Sequence, residues 1–231
     1  MKLGIMQPYF LPYIGYFQLL NAVDKYVIYD NIEYSKKGWI NRNRILMNGQ
    51  DFLFTLPLKK DSDYKWVCER EISPSYQPKK ILEQIKSSYL KAPYFKEIDP
   101  LLASIFYHKE TNLFAYIYNS VKTINHYLGI NTEIIISSTL DIDHQLKSED
   151  KLLAICKLMG ARSYYNPIGG KEMYSKERFQ SHGFELKFLA SDLVPYQQYH
   201  HDFVPWLSII DVLMFNAKEE VSNMLKKYTL Q

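Results

Sequence analysis

Four stretches of this chain carry side chains whose types and spacing could do chemistry: 7–16, 30–44, 166–170 and 196–211. In Gln7-Pro8-Tyr9-Phe10-Leu11-Pro12-Tyr13-Ile14-Gly15-Tyr16-Phe17, two prolines stiffen a loop of aromatic rings. Gln7 needs partners or a ligand for its amide there, and Gly15 permits close backbone approach. The same stretch also fits a rigid aromatic core loop with a satisfied glutamine. Asp30-Asn31 leads to Asn41-Arg42-Asn43-Arg44, where strand alternation places Arg42 and Arg44 on one face and Asn41 and Asn43 on the other. Guanidiniums roughly 7 Å apart along a strand can clamp a phosphate or carboxylate, with Lys36 and Lys37 nearby. The alternative is solvated strand charge with Asp30 in an ion pair.

Asn166-Pro167-Ile168-Gly169-Gly170 can offer the backbone N–H groups of Gly169 and Gly170 to an oxyanion or phosphate, although paired glycines also serve ordinary turns. Near the C-terminus, Leu207, Ile210, Asp211 and Met214 share a helix face, with Ser208 just before Asp211. A partly desolvated carboxylate beside a hydroxyl is a general-base candidate; the pair could equally cap a neighbouring backbone segment. His201 is a candidate acid/base partner. The adjacent His200 and His201 make a poor chelate, and no CxxC or Cys/His spacing exists around Cys68 or Cys156, so no metal is expected.

The elements that must position these groups alternate in type. Leu3–Met6 reads as a buried strand, Tyr13–Ala22 as a helix and Lys25–Tyr29 as a second strand, which makes a parallel βαβ unit. Arg42–Leu46 and Phe52–Leu56 flank Asn48-Gly49, a hairpin signal. Helices are expected over Pro78–Leu90 and, as one long element closed by Gly129, over Leu101–Leu128. Strands at Glu133–Ser137, Ser163–Asn166 and Glu185–Phe188 alternate with helices at Glu149–Met159 and Glu172–Gln180. Helices at Pro205–Phe215 and Lys218–Tyr228 close the chain. The pattern implies a three-layer α/β sandwich around a mostly parallel sheet, one domain over 1–231, with residues 60–130 a helical insertion or cap. In such sheets ligands bind beyond the carboxyl ends of strands, where the first three stretches and the residues around Tyr196–His201 fall.

Composition narrows the partners. A net charge of +3, with Lys36-Lys37, Lys59-Lys60 and Lys79-Lys80 dispersed, gives no basic field for nucleic acid. No run approaches the ~18 apolar residues a membrane span requires, and Gln7, Pro8 and Pro12 interrupt any leader-like start. The expectation is a cytoplasmic protein. Tyrosine is the outlier at 20 residues, against 12 Phe and 3 Trp; its apolar ring and polar tip suit the wall of a small polar ligand's site.

These stretches resemble the WbqC-like family from end to end. The resemblance runs through 7–17, through Asp30 to Ile45 with Trp39-Ile40-Asn41-Arg42-Asn43, through Tyr165-Asn166-Pro167-Ile168-Gly169-Gly170, and through Pro205-Trp206-Leu207-Ser208-Ile209-Ile210-Asp211 with Phe215-Asn216. One departure is Ala217-Lys218 where a glycine is expected. The family's association with bacterial O-antigen and other surface-polysaccharide (lipopolysaccharide) gene clusters implies a transferase acting on a nucleotide-linked amino sugar, by acyl or aminoacyl transfer. In that reading Arg42, Arg44 and Lys37 hold the diphosphate and Tyr9, Tyr13 and Tyr16 stack on base or sugar. Gln7 and Asn166 fix hydroxyls, and Asp211 or His201 takes the proton. Asp30, Asn41, Gly15, Gly169, Gly170 and Ser208 complete the ligand-binding set. A second resemblance, of Pro12-Tyr13-Ile14-Gly15-Tyr16 to the strand–HxGH–helix opening of adenylyl-transferring enzymes, implies a Rossmann-like, HIGH-nucleotidyltransferase-like core and an adenylate-forming ligase as the alternative. Tyr13 and Tyr16 stand where that motif has histidines. A non-catalytic ligand-binding protein is the third reading. The sugar, the donor and the oligomeric state are not legible.

Overall fold

The fold is taken from a computed structural model, which describes residues 1–62, 64–200 and 202–231. Its strands are β1 (Lys2–Met6), β2 (Lys25–Ile28), β3 (Arg42–Met47), β4 (Gln50–Thr55), β5 (Glu133–Ile136), β6 (Ser163–Pro167), β7 (Glu185–Ser191) and β8 (Tyr228–Leu230). Its helices are α1 (Ile14–Ala22), α2 (Pro78–Tyr89), α3 (Phe95–Phe106), α4 (Leu113–Leu128), α5 (Ser148–Leu158), α6 (Lys176–Ser181), α7 (Ile209–Phe215) and α8 (Lys218–Met224).

The main sheet runs β5-β2-β1-β6-β7-β8, parallel except for β8, which pairs antiparallel with β7. Its strands alternate between two buried clusters, as a period of two requires. Leu3, Ile5, Val27, Tyr164, Leu186 and Phe188 face α5 and α6. Tyr26, Ile28, Tyr165 and Leu189 face the cluster that holds α1 and extends through α2, α3, α4 and α7. The result is a mixed α/β fold with helices on both faces of a mostly parallel sheet.

The sheet grows outward from β1 in both directions: β2 and β5 lie on one side, β6 and β7 on the other. The order reverses between β1 and β6, and at such a point the connections leave in opposite directions and open a crevice above the carboxyl ends. β3 and β4 form a separate hairpin through Asn48 (φ 53) and Gly49 (φ 76), a two-residue turn that needs positive φ at both positions.

Several boundaries differ from expectation. The long helix is broken: α3 ends at Phe106, and the polar run His108-Lys109-Glu110-Thr111 separates it from α4, whose first turn is capped by Asn112 accepting from the Ala115 N–H. The helix expected from Glu172 begins at Lys176, where Ser175 provides the cap. The helix expected from Pro205 begins at Ile209, because Trp206 adopts a left-handed φ of 60 and Ser208 caps the first turn. The last helix stops at Met224, and Tyr228–Leu230 form an edge strand instead. The α7–α8 junction needs no glycine, since Asn216 (φ −127) and Ala217 (φ −61) are both at negative φ.

Candidate functional site

The loop after β1 is held in place by hydrogen bonds from β3 and from the start of α7. Asn43 Nδ2 donates to the carbonyls of Phe10 (3.3 Å) and Leu11 (2.8 Å), and Ser208 Oγ donates to the Leu11 carbonyl at 2.7 Å. Backbone bonds from Phe10 to Ile40, Ser208 to Arg44 and Ile209 to Pro12 complete the lacing. Leu11 itself sits at φ 46. Left-handed backbone at a non-glycine costs roughly 1–3 kcal/mol and persists only where surroundings over-determine it. Leu11 and Trp206 both lie in this knot.

The lacing holds open an aromatic cleft of about 200 Å³, lined by Tyr9, Pro12, Tyr13, Trp39, Asn43, Arg44 and Trp206. Trp39 and Trp206 are 41% and 47% exposed, so two large rings are left with a face in water. Trp206 meets the Tyr13 ring edge-on at 5.9 Å. The guanidiniums of Arg42 and Arg44 lie 5.6 and 5.2 Å from the Trp39 ring centre, so both strand arginines share one face as the alternation requires. Arg44 also pairs with Asp51 at 3.0 Å, and Arg42 donates to the carbonyls of Gly38 and Lys37. The cleft can stack a planar or sugar ring between tryptophans and meet an anionic substituent with an arginine edge.

A second group of side chains lies at the rim where β1 and β6 part. Gln7 follows β1, and its Oε1 accepts a long hydrogen bond, 3.5 Å, from the Tyr9 hydroxyl. Asn166 is 95% buried with Nδ2 unpartnered among the described residues. That nitrogen stands where a side chain on Gly170 would go, 2.5 Å from the Cβ position, with the Tyr174 ring at 3.1 Å; only glycine fits. Burial, with Tyr13 and Tyr174 as neighbours, pushes the Tyr9 hydroxyl up to about 12, and burial beside Tyr174 does the same to Tyr29. These phenols stay protonated and act as donors. Lys151, 98% buried at the start of α5, lies 4.8 Å from the Tyr29 ring centre and 6.0 Å from that of Trp66. Burial lowers its pKa against the opposing pull of Asp30.

The remaining expected residues divide plainly. Asp30 is buried and accepts from the Ser138 N–H at 2.8 Å; its neighbour Asn31 accepts from Ser137 Oγ and bonds to His144 Nδ1. Asn41 accepts from the Tyr34 hydroxyl and donates to the Leu56 carbonyl, tying the hairpin down. Tyr16 is 98% buried, packed on Tyr9, Phe17 and Tyr26 and outside the cleft wall. Gly15 lies under the Tyr13 ring, which a Cβ would strike. Lys37 and Gly169 are exposed. The Ser208 hydroxyl bonds to Leu11 and caps α7, and Ser208 meets Asp211 only through its backbone carbonyl.

Asp211 is fully buried, and its oxygens accept from the hydroxyls of Tyr89 (2.8 Å) and Tyr196 (2.6 Å) and from Gln198 Nε2 (2.6 Å). Burial raises its pKa, which those three donors resist. It joins α2, α7 and the 196–204 loop. His201 lies outside the described residues. Among these residues no group of three His, Cys, Asp or Glu side chains could hold a metal ion, and no helix is long and apolar enough to cross a membrane.

Sequence reasoning passed over the exposed rings of Trp39 and Trp206, and over Tyr29, Tyr174 and Lys151. A lysine set against Leu152, Leu153, Ile155 and Cys156 on a helix otherwise turned inward was the one signal available for Lys151.

Residues 7–223 match the WbqC-like protein family. The chain is also similar to Uncharacterized protein Rv1507c of Mycobacterium tuberculosis, 28% identical over 228 residues and covering 97% of each chain. No solved structure matches it.

Proposed function

Because the chain belongs to the WbqC-like protein family, we propose that it is a transferase of bacterial surface-polysaccharide (O-antigen) biosynthesis that works in the cytoplasm on a nucleotide-linked amino sugar. The observation that carries this reading is the aromatic cleft. Pyranose rings have apolar C–H faces that stack on indole, and the half-exposed faces of Trp39 and Trp206 bracket a space of about 200 Å³ with Arg44 at its wall. Arg42 and Arg44 face the anionic part of the ligand, and Tyr9 and Tyr13 complete the stack. Lys37, exposed at the end of the same loop, supplies long-range attraction.

The reaction proposed is acyl or aminoacyl transfer to the sugar amine. The amine lone pair attacks the acyl carbon, the bond to the donor's leaving group breaks, and the ammonium formed gives up a proton. In this reading His201 receives that proton. Asp211, with its oxygens taken by three donors, positions Tyr196 and Gln198 instead. Gln7 and Asn166 hold polar groups of the substrates at the rim.

Thermal shift with a panel of nucleotide sugars tests the proposal. Stabilisation of several degrees by an amino-sugar nucleotide, lost in Trp39→Ala, supports it; no shift with any member of the panel sinks it. The nucleotidyltransferase-like core is part of the same proposal, supported by the strand order and by α1 opening directly after Tyr13. Adenylate formation is the less favoured reading, since Tyr13 and Tyr16 replace both histidines and Tyr16 is buried away from the cleft. Pyrophosphate exchange dependent on a carboxylic acid would reverse that preference.

A further inference from the structure

The rim between β1 and β6 presents donors almost without acceptors. Asn166 Nδ2 is buried and unbonded. Gln7 Nε2 and the hydroxyls of Tyr29 and Tyr174 likewise make no hydrogen bond among the described residues, and Tyr9 spends its proton only on the 3.5 Å contact to Gln7. Behind them Lys151, 98% buried, makes a single hydrogen bond among the described residues, to the His144 carbonyl at 3.5 Å, and no ion pair among them; Asp30 and Asp143 act on it only through their charge. A buried amine and a buried amide left this short of partners are costly unless something else fills the gap.

We propose that these groups form a phosphoryl-binding site at the crevice above β1 and β6, with Asn166, Tyr9, Tyr29 and Tyr174 donating to its oxygens and Lys151 balancing its charge. A carboxylate has two oxygens in one plane. The donors here come from the segments that follow β1 and β2, from β6 and from the turn before α6, and so approach from several directions, which suits a tetrahedral group with three free oxygens. Gly170 is the residue that lets the Asn166 amide take its place, and that fixes the site's floor. Lys151 is held up to the site by aromatic faces, so an arriving anion meets a cation with little hydration left to strip.

The site stands on its own donors and does not depend on the sugar reading of the cleft. If both hold, the phosphoryl group belongs either to the nucleotide whose sugar fills the cleft or to the activated acyl donor. Tyr9, shared by the cleft wall and the rim, sits between the two.

Isothermal titration of the full chain with inorganic phosphate, pyrophosphate and acetate tests the site. Pyrophosphate is expected to bind at least tenfold more tightly than acetate. Lys151→Met and Asn166→Leu should each weaken it tenfold or more, Tyr174→Phe about threefold, and Lys122→Met, an exposed charge on α4, not at all, with circular-dichroism melts confirming that every variant is folded. Absence of phosphate and pyrophosphate binding, equal affinity for acetate, or unchanged pyrophosphate affinity in folded Lys151→Met and Asn166→Leu would overturn the proposal. Competition between pyrophosphate and a cleft-bound nucleotide sugar assigns the group to that nucleotide; simultaneous binding assigns it to the acyl donor. A failed nucleotide-sugar shift with intact pyrophosphate binding sinks the cleft reading alone.

Discussion

Two of the buried polar clusters in this protein are finished to different degrees. Around Asp211 every group is answered. Tyr89 takes the Leu46 N–H and gives its proton to the carboxylate. Gln198, itself fully buried, accepts from the Val204 N–H and donates to both the Val204 carbonyl and Asp211. At the rim, Asn166 and Lys151 are as deeply buried and have almost nothing to hold. Burial alone therefore does not mark a site. A closed hydrogen-bond network specifies packing, whereas unspent buried donors call for an explanation, which the proposed phosphoryl site supplies.

The contrast is open to breaking, first at its strongest point. Asp211→Ala removes the acceptor of three donors, two of them fully buried, and should cost about 3–5 kcal/mol in urea unfolding; a loss under 1 kcal/mol would show that the network is not what joins α2, α7 and the 196–204 loop. Gly170→Ala should cost about 1–2 kcal/mol through the clash with Asn166 and Tyr174, and should weaken pyrophosphate as well. The Asp211 carboxyl adds a pH signature. Its folded-state pKa is raised above the ordinary 3.8, so the folded chain binds this proton before the unfolded chain does. Its contribution to stability should grow as pH falls from the raised value toward 3.8, and the gap between the native chain and Asp211→Asn should widen in that window. A gap that narrows on acidification would reverse the assignment. The smallest effect is expected at the rim: Asn166→Leu removes an unsatisfied amide and should leave stability within about 0.5 kcal/mol or raise it. A loss of 2 kcal/mol there would mean that Asn166 is structural and the contrast false.

Much of the frame could be read from residue order. Leu3–Met6 and Lys25–Tyr29 bracket an apolar helix too closely for anything but a parallel crossover, and Asn48-Gly49 could only be a hairpin turn. Gln7 stood out because it follows a buried strand, and Asn166 because it ends one and leads into a paired-glycine turn. The aromatic cleft was less legible, since Trp39 and Trp206 meet only through loops set by left-handed backbone at Leu11 and Trp206, which periodicity does not encode. Asp211 was correctly placed on a buried stripe, but its donors come from Tyr89, 122 residues away, and from a loop with no regular period. The break before Asn112 was hidden because apolar spacing continues on both sides of a short polar turn. Lys151 went unnoticed because a lysine near a helix start usually reads as solvent-facing.

The reversal of strand order has a temporal side. β1 pairs with β2 after a short connection, yet its other neighbour, β6, begins at Ser163, more than a hundred and fifty residues later. A ribosome making this chain releases the β1–β2 pair early and leaves the far edge of β1 bare until most of the polypeptide has emerged. Closure of that longest-range pairing is then a late and slow event. Binding at the proposed phosphoryl site, followed during refolding, would serve as a clock for the last stage of assembly.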